Sequence, residues 1–148
     1  IAFLNLRGDD LLQSGPIKDR EDPRWIYRWT TKQSKRTTLI RERKMGRVVA
    51  VASMDLTYPW RRGVGIIGYV LSDPDCRGQG LGRSVVVELI RQAREEVDPP
   101  LNKIELVSEP HRTAARTLYE SLGFRLQQGS DRHYELFLSK NEEHPDAA

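Results

Sequence analysis

The chain has 148 residues, of which 38% are hydrophobic and 30% charged, and a formal net charge of +3. This length and balance suit one globular domain with a buried core and exclude a disordered polyelectrolyte. The longest uninterrupted apolar run is five residues, at 48–52, and the apolar opening breaks at Arg7, which excludes a membrane-spanning apolar helix and a signal segment. The lone Cys76 rules out an internal disulfide, and Cys76 with His111, His133 and His144 offers no zinc-ligand spacing. Metal-free chemistry in a soluble, cytoplasmic protein with no membrane partner is the expectation. The chain opens at Ile1 instead of a methionine, and what precedes it is left open.

Charge is unevenly spread, with eleven Lys or Arg against four Asp or Glu in residues 17–47. Residues 1–36 carry the weakest pattern. Within them, 4–13 admits an edge strand and a helical turn, limited by Pro16 and Pro23. After Pro23, Trp25, Ile26 and Trp29 recur at helical spacing among Arg24, Arg28, Lys32 and Lys35, which predicts a short amphipathic helix. From residue 37 the period becomes two. A hairpin of 37–43 and 47–57 turns at Lys44-Met45-Gly46, with Val48, Ala50, Ala52, Met54 and Leu56 on one face. Residues 64–72 are apolar on both faces, as a covered central strand should be, and Asp73-Pro74 ends them.

Residues 82–97 give the clearest helix, with Val85, Val86, Leu89, Ile90, Ala93 and Val97 on one stripe before Asp98-Pro99-Pro100. A strand at 103–108 follows. Pro110 then opens a helix with Ala114, Ala115, Leu118, Tyr119 and Leu122 on one face and Gly123 at C′. Residues 124–128 and 132–138 finish as a hairpin around 129–131. The assignment is one α/β domain over 1–140, with a mixed central β-sheet and helices on both faces, and a flexible acidic tail at 141–148.

The segment Arg77-Gly78-Gln79-Gly80-Leu81-Gly82 lies between a buried strand and the start of an amphipathic helix. Three alternating glycines let backbone N–H groups crowd a phosphate without interference from Cβ atoms, and the helix start adds a dipole that favours an anion. No Gly-Lys-Ser or Gly-Lys-Thr follows, so it is not a Walker loop. Arg83 and Val85 stand where a dinucleotide fingerprint needs its third glycine. The bland counterpart is a glycine turn that only lets strand and helix pack closely.

At this point the sequence resembles the GNAT superfamily of N-acetyltransferases. Arg77, Gly80 and Gly82 match that family's Arg/Gln-x-x-Gly-x-Gly/Ala motif, and residues 112–124 are similar to its last helix, which ends in Leu-Tyr-x-x-x-Gly-Phe, here Leu118, Tyr119, Gly123 and Phe124. The resemblance is specific over about 64–138 and extends to the hairpin from residue 37. It implies acetyl-coenzyme A bound across a splayed pair of strands, 64–72 and 103–108, with pyrophosphate on the backbone of Arg77, Gly78, Gln79, Gly80, Leu81 and Gly82. The pantetheine arm would run along Leu71 and Ser72. A primary amine, of a small molecule or a protein, would attack the thioester directly in a ternary complex. A backbone N–H would hold the oxyanion, and Tyr119 would protonate the leaving thiolate.

The family often has Asn seven residues before the tyrosine, where this chain has Arg112. Arg112 is then open to a coenzyme phosphate, a substrate carboxylate or plain solvent. For the general base, Asp55, Glu105, Glu109 and a water relay stay open, because 64–72 contains no acid. Cys76 is read as incidental and Arg7-Gly8-Asp9 as a chance tripeptide. The basic stretch, with Arg61 and Arg62, would favour an acceptor carrying acidic groups. A homodimer is compatible with the sequence. The rivals are a non-catalytic acyl-coenzyme A sensor and, with thin support, a basic nucleic-acid-interaction domain.

Overall fold

The computed structural model describes residues 12–16, 18, 21–31, 35–42, 46–56 and 63–138. The opening segment with Arg7-Gly8-Asp9, the Lys44-Met45 tip, Lys32, Arg61, Arg62 and the acidic tail lie outside the described residues. The chain first forms an antiparallel meander of β1 (Leu12–Pro16), β2 (Arg24–Thr31), β3 (Lys35–Glu42), β4 (Val48–Leu56) and β5 (Val64–Ser72). A 3-10 turn at Pro74–Cys76 leads into α1 (Leu81–Glu95), which carries the chain over to β6 (Lys103–Val107), parallel to β5. After α2 (Thr113–Ser121), β7 (Arg125–Leu126) and β8 (His133–Phe137) complete an eight-stranded mixed sheet in the order β1-β2-β3-β4-β5-β6-β8-β7.

The helix expected after Pro23 is a strand. Trp25 and Tyr27 pack with Leu39 and Val51 on one face of the sheet, while Ile26 joins the core on the other. That is a period of two, carried by aromatic and β-branched residues that fit a pleated surface better than a helix. Of the stretch 4–13 read as an edge strand and a helical turn, residues 4–11 lie outside the described residues, while Leu12 and Gln13 open the edge strand β1, which takes Pro16 at its end, where an edge tolerates a missing N–H. The face assigned in β4 holds for Ala50, Ala52, Met54 and Leu56, but Val48 packs with the opposite cluster. A bulge between Ile40 and Arg41 makes Val49 the extra residue and flips the phase of the strand. Pro110 sits in a turn closed by the Arg112 N–H on the Glu109 carbonyl at 3.0 Å, and α2 starts only at Thr113.

Both described helices pack into one core cluster on the sheet. Leu81, Val85, Val86, Leu89 and Ala93 of α1 pack chiefly on β4, where Ala50 and Ala52 are small enough to let the helix approach. Gln92 crosses to β3 with a 2.9 Å hydrogen bond from its amide to the Thr38 hydroxyl, so this buried polar group is satisfied. An Arg83 guanidinium N–H donates to the Ser121 hydroxyl at 2.9 Å and fastens α1 to α2.

Candidate functional site

The β5–β6 ladder has four rungs, Val64 with Lys103 through Ile67 with Leu106. Beyond Ile67, β5 pairs only with β4, so its edge toward β6 has no strand partner. A bulge between Ser53 and Met54 places Gly68 as the extra residue at this point. The two strands part around a cleft of about 290 Å³, walled by Gly68 to Leu71 on one side and by Leu106 to Glu109 on the other. Arg112, Ala115 and Tyr119 of the α2 region line the same cleft.

Register assigns each wall to a face of the sheet. Ile67 and Leu106 belong to the helix-side core with Tyr119, and Val70 packs against it. Tyr69 packs with the Tyr27, Leu39 and Val51 cluster, and Leu71 stands opposite Val51, so both face away from the helices. Val107 follows Leu106 in β6 and therefore points the same way as Leu71. The cleft thus passes through the sheet, with Tyr119 at its helix side and Tyr69, Leu71 and Val107 on the other.

Tyr119 is held by the end of α2. Gly123 at φ 97° adopts a conformation that Cβ-bearing residues avoid, which lets its N–H reach the Glu120 carbonyl and the Phe124 N–H reach the Tyr119 carbonyl, both at 3.1 Å. The pair of bonds closes the helix and stacks Phe124 edge-on against Tyr119, with ring centroids 5.9 Å apart. On the next turn, Arg116 Nε–H donates to the Tyr134 hydroxyl at 2.6 Å, and that hydroxyl donates to Glu120 at 2.9 Å, which pins α2 to β8. Burial pushes the Tyr119 phenol above its ordinary pKa, and the nearby Arg112 charge opposes the shift without cancelling it.

The glycine segment stands on the helix side of the cleft. Gly78 and Gly80 have φ of 78° and 74°, and a Cβ built on either would meet nothing within 4 Å. Gly80 is the N-cap of α1, and no side chain caps that helix start. The Ser84 N–H and hydroxyl both bond the Gly80 carbonyl, at 3.1 and 3.0 Å, so the turn is braced from within the helix. Open space, uncapped N–H groups and the positive end of α1 together suit a phosphate. Gly82 instead is tucked into the fold, its Cβ position 3.7 Å from Leu118 and 3.9 Å from Val70. Leu81 is in the core at 2% exposure, so only its backbone can serve the turn. Arg77, Gly78, Gln79 and Ser72 are exposed, and Ser72 sits at the end of β5 opposite Ala50.

A residue that sequence reasoning did not assign to this site reaches it from β2. Arg24 is clamped by Asp22, whose carboxylate accepts from its backbone N–H at 2.9 Å and from Nε at 3.2 Å. Its Nη1 donates to the side-chain oxygen of Gln79. With that oxygen engaged, Gln79 keeps its amide N–H groups as donors beside the glycines. Burial raises the Asp22 pKa, but the hydrogen bonds and charge of Arg24 outweigh it and leave the carboxyl below its ordinary range.

The three acids considered as base separate. Glu109 lines the cleft and is ion-paired with Arg132 at 3.4 Å. Glu105 faces away from the helices and is held by Lys103 at 3.1 Å and the Gln127 amide at 3.1 Å. Asp55 is exposed and opposite Ile66, before the strands part. Cys76 is a half-buried free thiol against the core. The sequence signal for Val107 was an apolar residue on the otherwise charged face of Lys103 and Glu105. For Arg24, it was the aromatic alternation just after it, which places the arginine at a strand start.

The match with known proteins agrees with this geometry. Residues 2–124 fit the model of the acetyltransferase (GNAT) family. The chain belongs to the GNAT acetyltransferase family. That family transfers acyl groups from acetyl- or acyl-coenzyme A to amines. No curated protein matches the sequence. Among solved structures, a GNAT acetyltransferase from Streptococcus pneumoniae is 17% identical with a TM-score of 0.62, over 74% of this chain and 70% of that one. A candidate acyl-CoA N-acyltransferase from Klebsiella pneumoniae is 24% identical with a TM-score of 0.61, over 74% and 77%. The dodecameric spermidine N-acetyltransferase of Vibrio cholerae is 16% identical with a TM-score of 0.60, over 72% and 67%. These likenesses are of fold. No helix among the described residues is long and apolar enough to cross a membrane.

Proposed function

We propose that this GNAT chain is an acetyl-coenzyme A-dependent N-acetyltransferase acting on a primary amine by direct attack while both substrates are bound. The observation that carries this reading is that a buried phenol and a glycine turn able to cradle phosphate stand on the helix side of one cleft. The backbone of Gly78, Gly80 and the start of α1 would hold the pyrophosphate, with Arg77 and Gln79 beside it. The unpaired edge of β5 at Leu71 and Ser72 would take the amides of the pantetheine arm. Arg112 is free to meet a further phosphate. The coenzyme supplies an acyl group activated as a thioester, and the proposed transfer asks for no metal.

The amine nitrogen bonds to the acyl carbon as the carbon–sulfur bond breaks, one proton leaving the nitrogen and one reaching the sulfur. Tyr119 is the proposed source of the second. Its burial keeps the phenol protonated through the neutral range, and the same poorly hydrated surroundings raise the proton affinity of a sulfur that is gaining charge. Glu109, alone of the three candidate acids in lining the cleft, is the side chain best placed to receive the first proton, directly or through water. A reduced Cys76 is consistent with a cytoplasmic setting for this reaction.

Thermal unfolding with and without acetyl-coenzyme A, followed by thiol release with an amine panel, tests the reading. Stabilisation together with amine-dependent thiol release is expected. Stabilisation without release from any amine would leave a coenzyme sensor, and no stabilisation at saturating ligand would remove the coenzyme site.

A further inference from the structure

Building on the acyl-transfer reading, we infer that the acceptor is an amine borne on an apolar group, which enters from the sheet face opposite the helices and lies between Leu71 and Val107. The large apolar side chains exposed among the described residues are Leu71 at 46%, Val87 at 44% and Val107 at 56%. Scattered exposed apolar residues are ordinary on a protein surface. Leu71 and Val107 are not scattered, since they stand on the two facing walls of the cleft and on the same side of the sheet. Tyr69, on that face and in the same wall, extends the apolar lining. The glycine turn, the start of α1 and Tyr119 occupy the helix side, which leaves the far side for the second substrate.

Among the described residues, several charges around the far mouth are already paired within the chain. Glu109 pairs with Arg132 at 3.4 Å. Lys103 bridges Glu105 at 3.1 Å and Glu135 at 3.3 Å, and the Gln127 amide donates to both acids. A polycation would need carboxylates free of such partners, and an acid-bearing acceptor would need a free cation on this face. The basic border expected from residues 17–47 is engaged elsewhere at three of its described arginines. Arg24 is held by Asp22 and Gln79, Arg41 by the Gly46 carbonyl, and Arg47 by Glu42 and Asp73. Leu71 and Val107 give this mouth exposed apolar surface on both walls.

The test is kcat/KM for thiol release across straight-chain amines from ethylamine to hexylamine, with phenethylamine, spermidine and glutamate as comparators. Each added methylene should raise kcat/KM about fourfold until the mouth is filled, and phenethylamine should exceed spermidine and glutamate by well over tenfold. Val107→Asp should flatten the chain-length slope and raise KM for hexylamine at least tenfold with kcat for it largely kept. Val107→Ser gives a milder version, should the charged variant fold poorly. A flat wild-type slope, or a preference for spermidine or glutamate, overturns this inference while leaving acyl transfer intact. Failure of acetyl-coenzyme A to stabilise the protein, or of every amine to release thiol, overturns the acyl-transfer reading and this inference with it.

Discussion

The two faces of the sheet at the cleft are built from different chemistry. On the helix side, the candidate coenzyme contacts are mostly backbone: positive-φ glycines, an uncapped helix start and the unpaired edge of β5. On the far side they are side chains alone, Tyr69, Leu71 and Val107, set by the register of two strands. Backbone recognition demands particular residues in a particular spacing, so it leaves a motif. Side-chain recognition by ordinary apolar residues leaves none, and it can change the acceptor without disturbing the coenzyme.

On that division, helix-side substitutions should act on turnover and coenzyme affinity, and far-side ones on the amine. The largest expected effect is Tyr119→Phe, a fall in kcat of roughly a hundredfold or more with acetyl-coenzyme A affinity nearly kept, read by steady-state kinetics beside a binding titration. Because burial raises this phenol above 10.0, its acid form persists as pH rises through the neutral range. The wild-type rate should therefore show no alkaline loss due to Tyr119 below about pH 10; a Tyr119-dependent limb near pH 8 would contradict the donor role.

Gly80→Val comes next. A side chain there would occupy the open space of the cradle, and the φ of 74° makes any Cβ-bearing residue strained. The stabilisation by coenzyme at a hundred times its wild-type Kd, about 2.7 kcal/mol or roughly 5–10 °C in Tm, should disappear. A retained shift would mean that the glycines serve packing only. Arg24→Ala removes the brace on Gln79 and should raise the coenzyme Kd roughly tenfold, with the amine KM unmoved; a change confined to the amine would place Arg24 on the wrong side of the comparison. The smallest effect is on stability. Gly82→Ala puts a methyl at ordinary contact distance from Leu118 and Val70 inside α1, and should raise unfolding stability by about 0.5–1 kcal/mol.

The C-terminal half was legible because its signals are local. The stripe on α1 and the Gly123 ending of α2 each depend on residues within a few positions of one another, and both stand in the structure. The N-terminal half was not. Trp25, Ile26 and Trp29 suit a helical stripe by spacing alone, and only pairing with β3, which sends Trp25 and Tyr27 one way and Ile26 the other, makes the segment a strand. The same limit hid Arg24, whose contact with Gln79 spans 55 residues. It also hid the bulge at Val49, because an extra residue is defined only against a partner strand.

The short ladder between β5 and β6 makes the sheet two smaller sheets sewn by one seam. Among the described residues, five strands lie on one side and three on the other, joined by the four rungs from Val64 to Ile67. A molecule that hydrogen-bonds the loose edge of β5 would serve as a splint across the gap, standing in for the missing length of ladder. Occupancy of the cleft would then tighten both halves of the protein at once, and the empty fold would be the looser of its two forms.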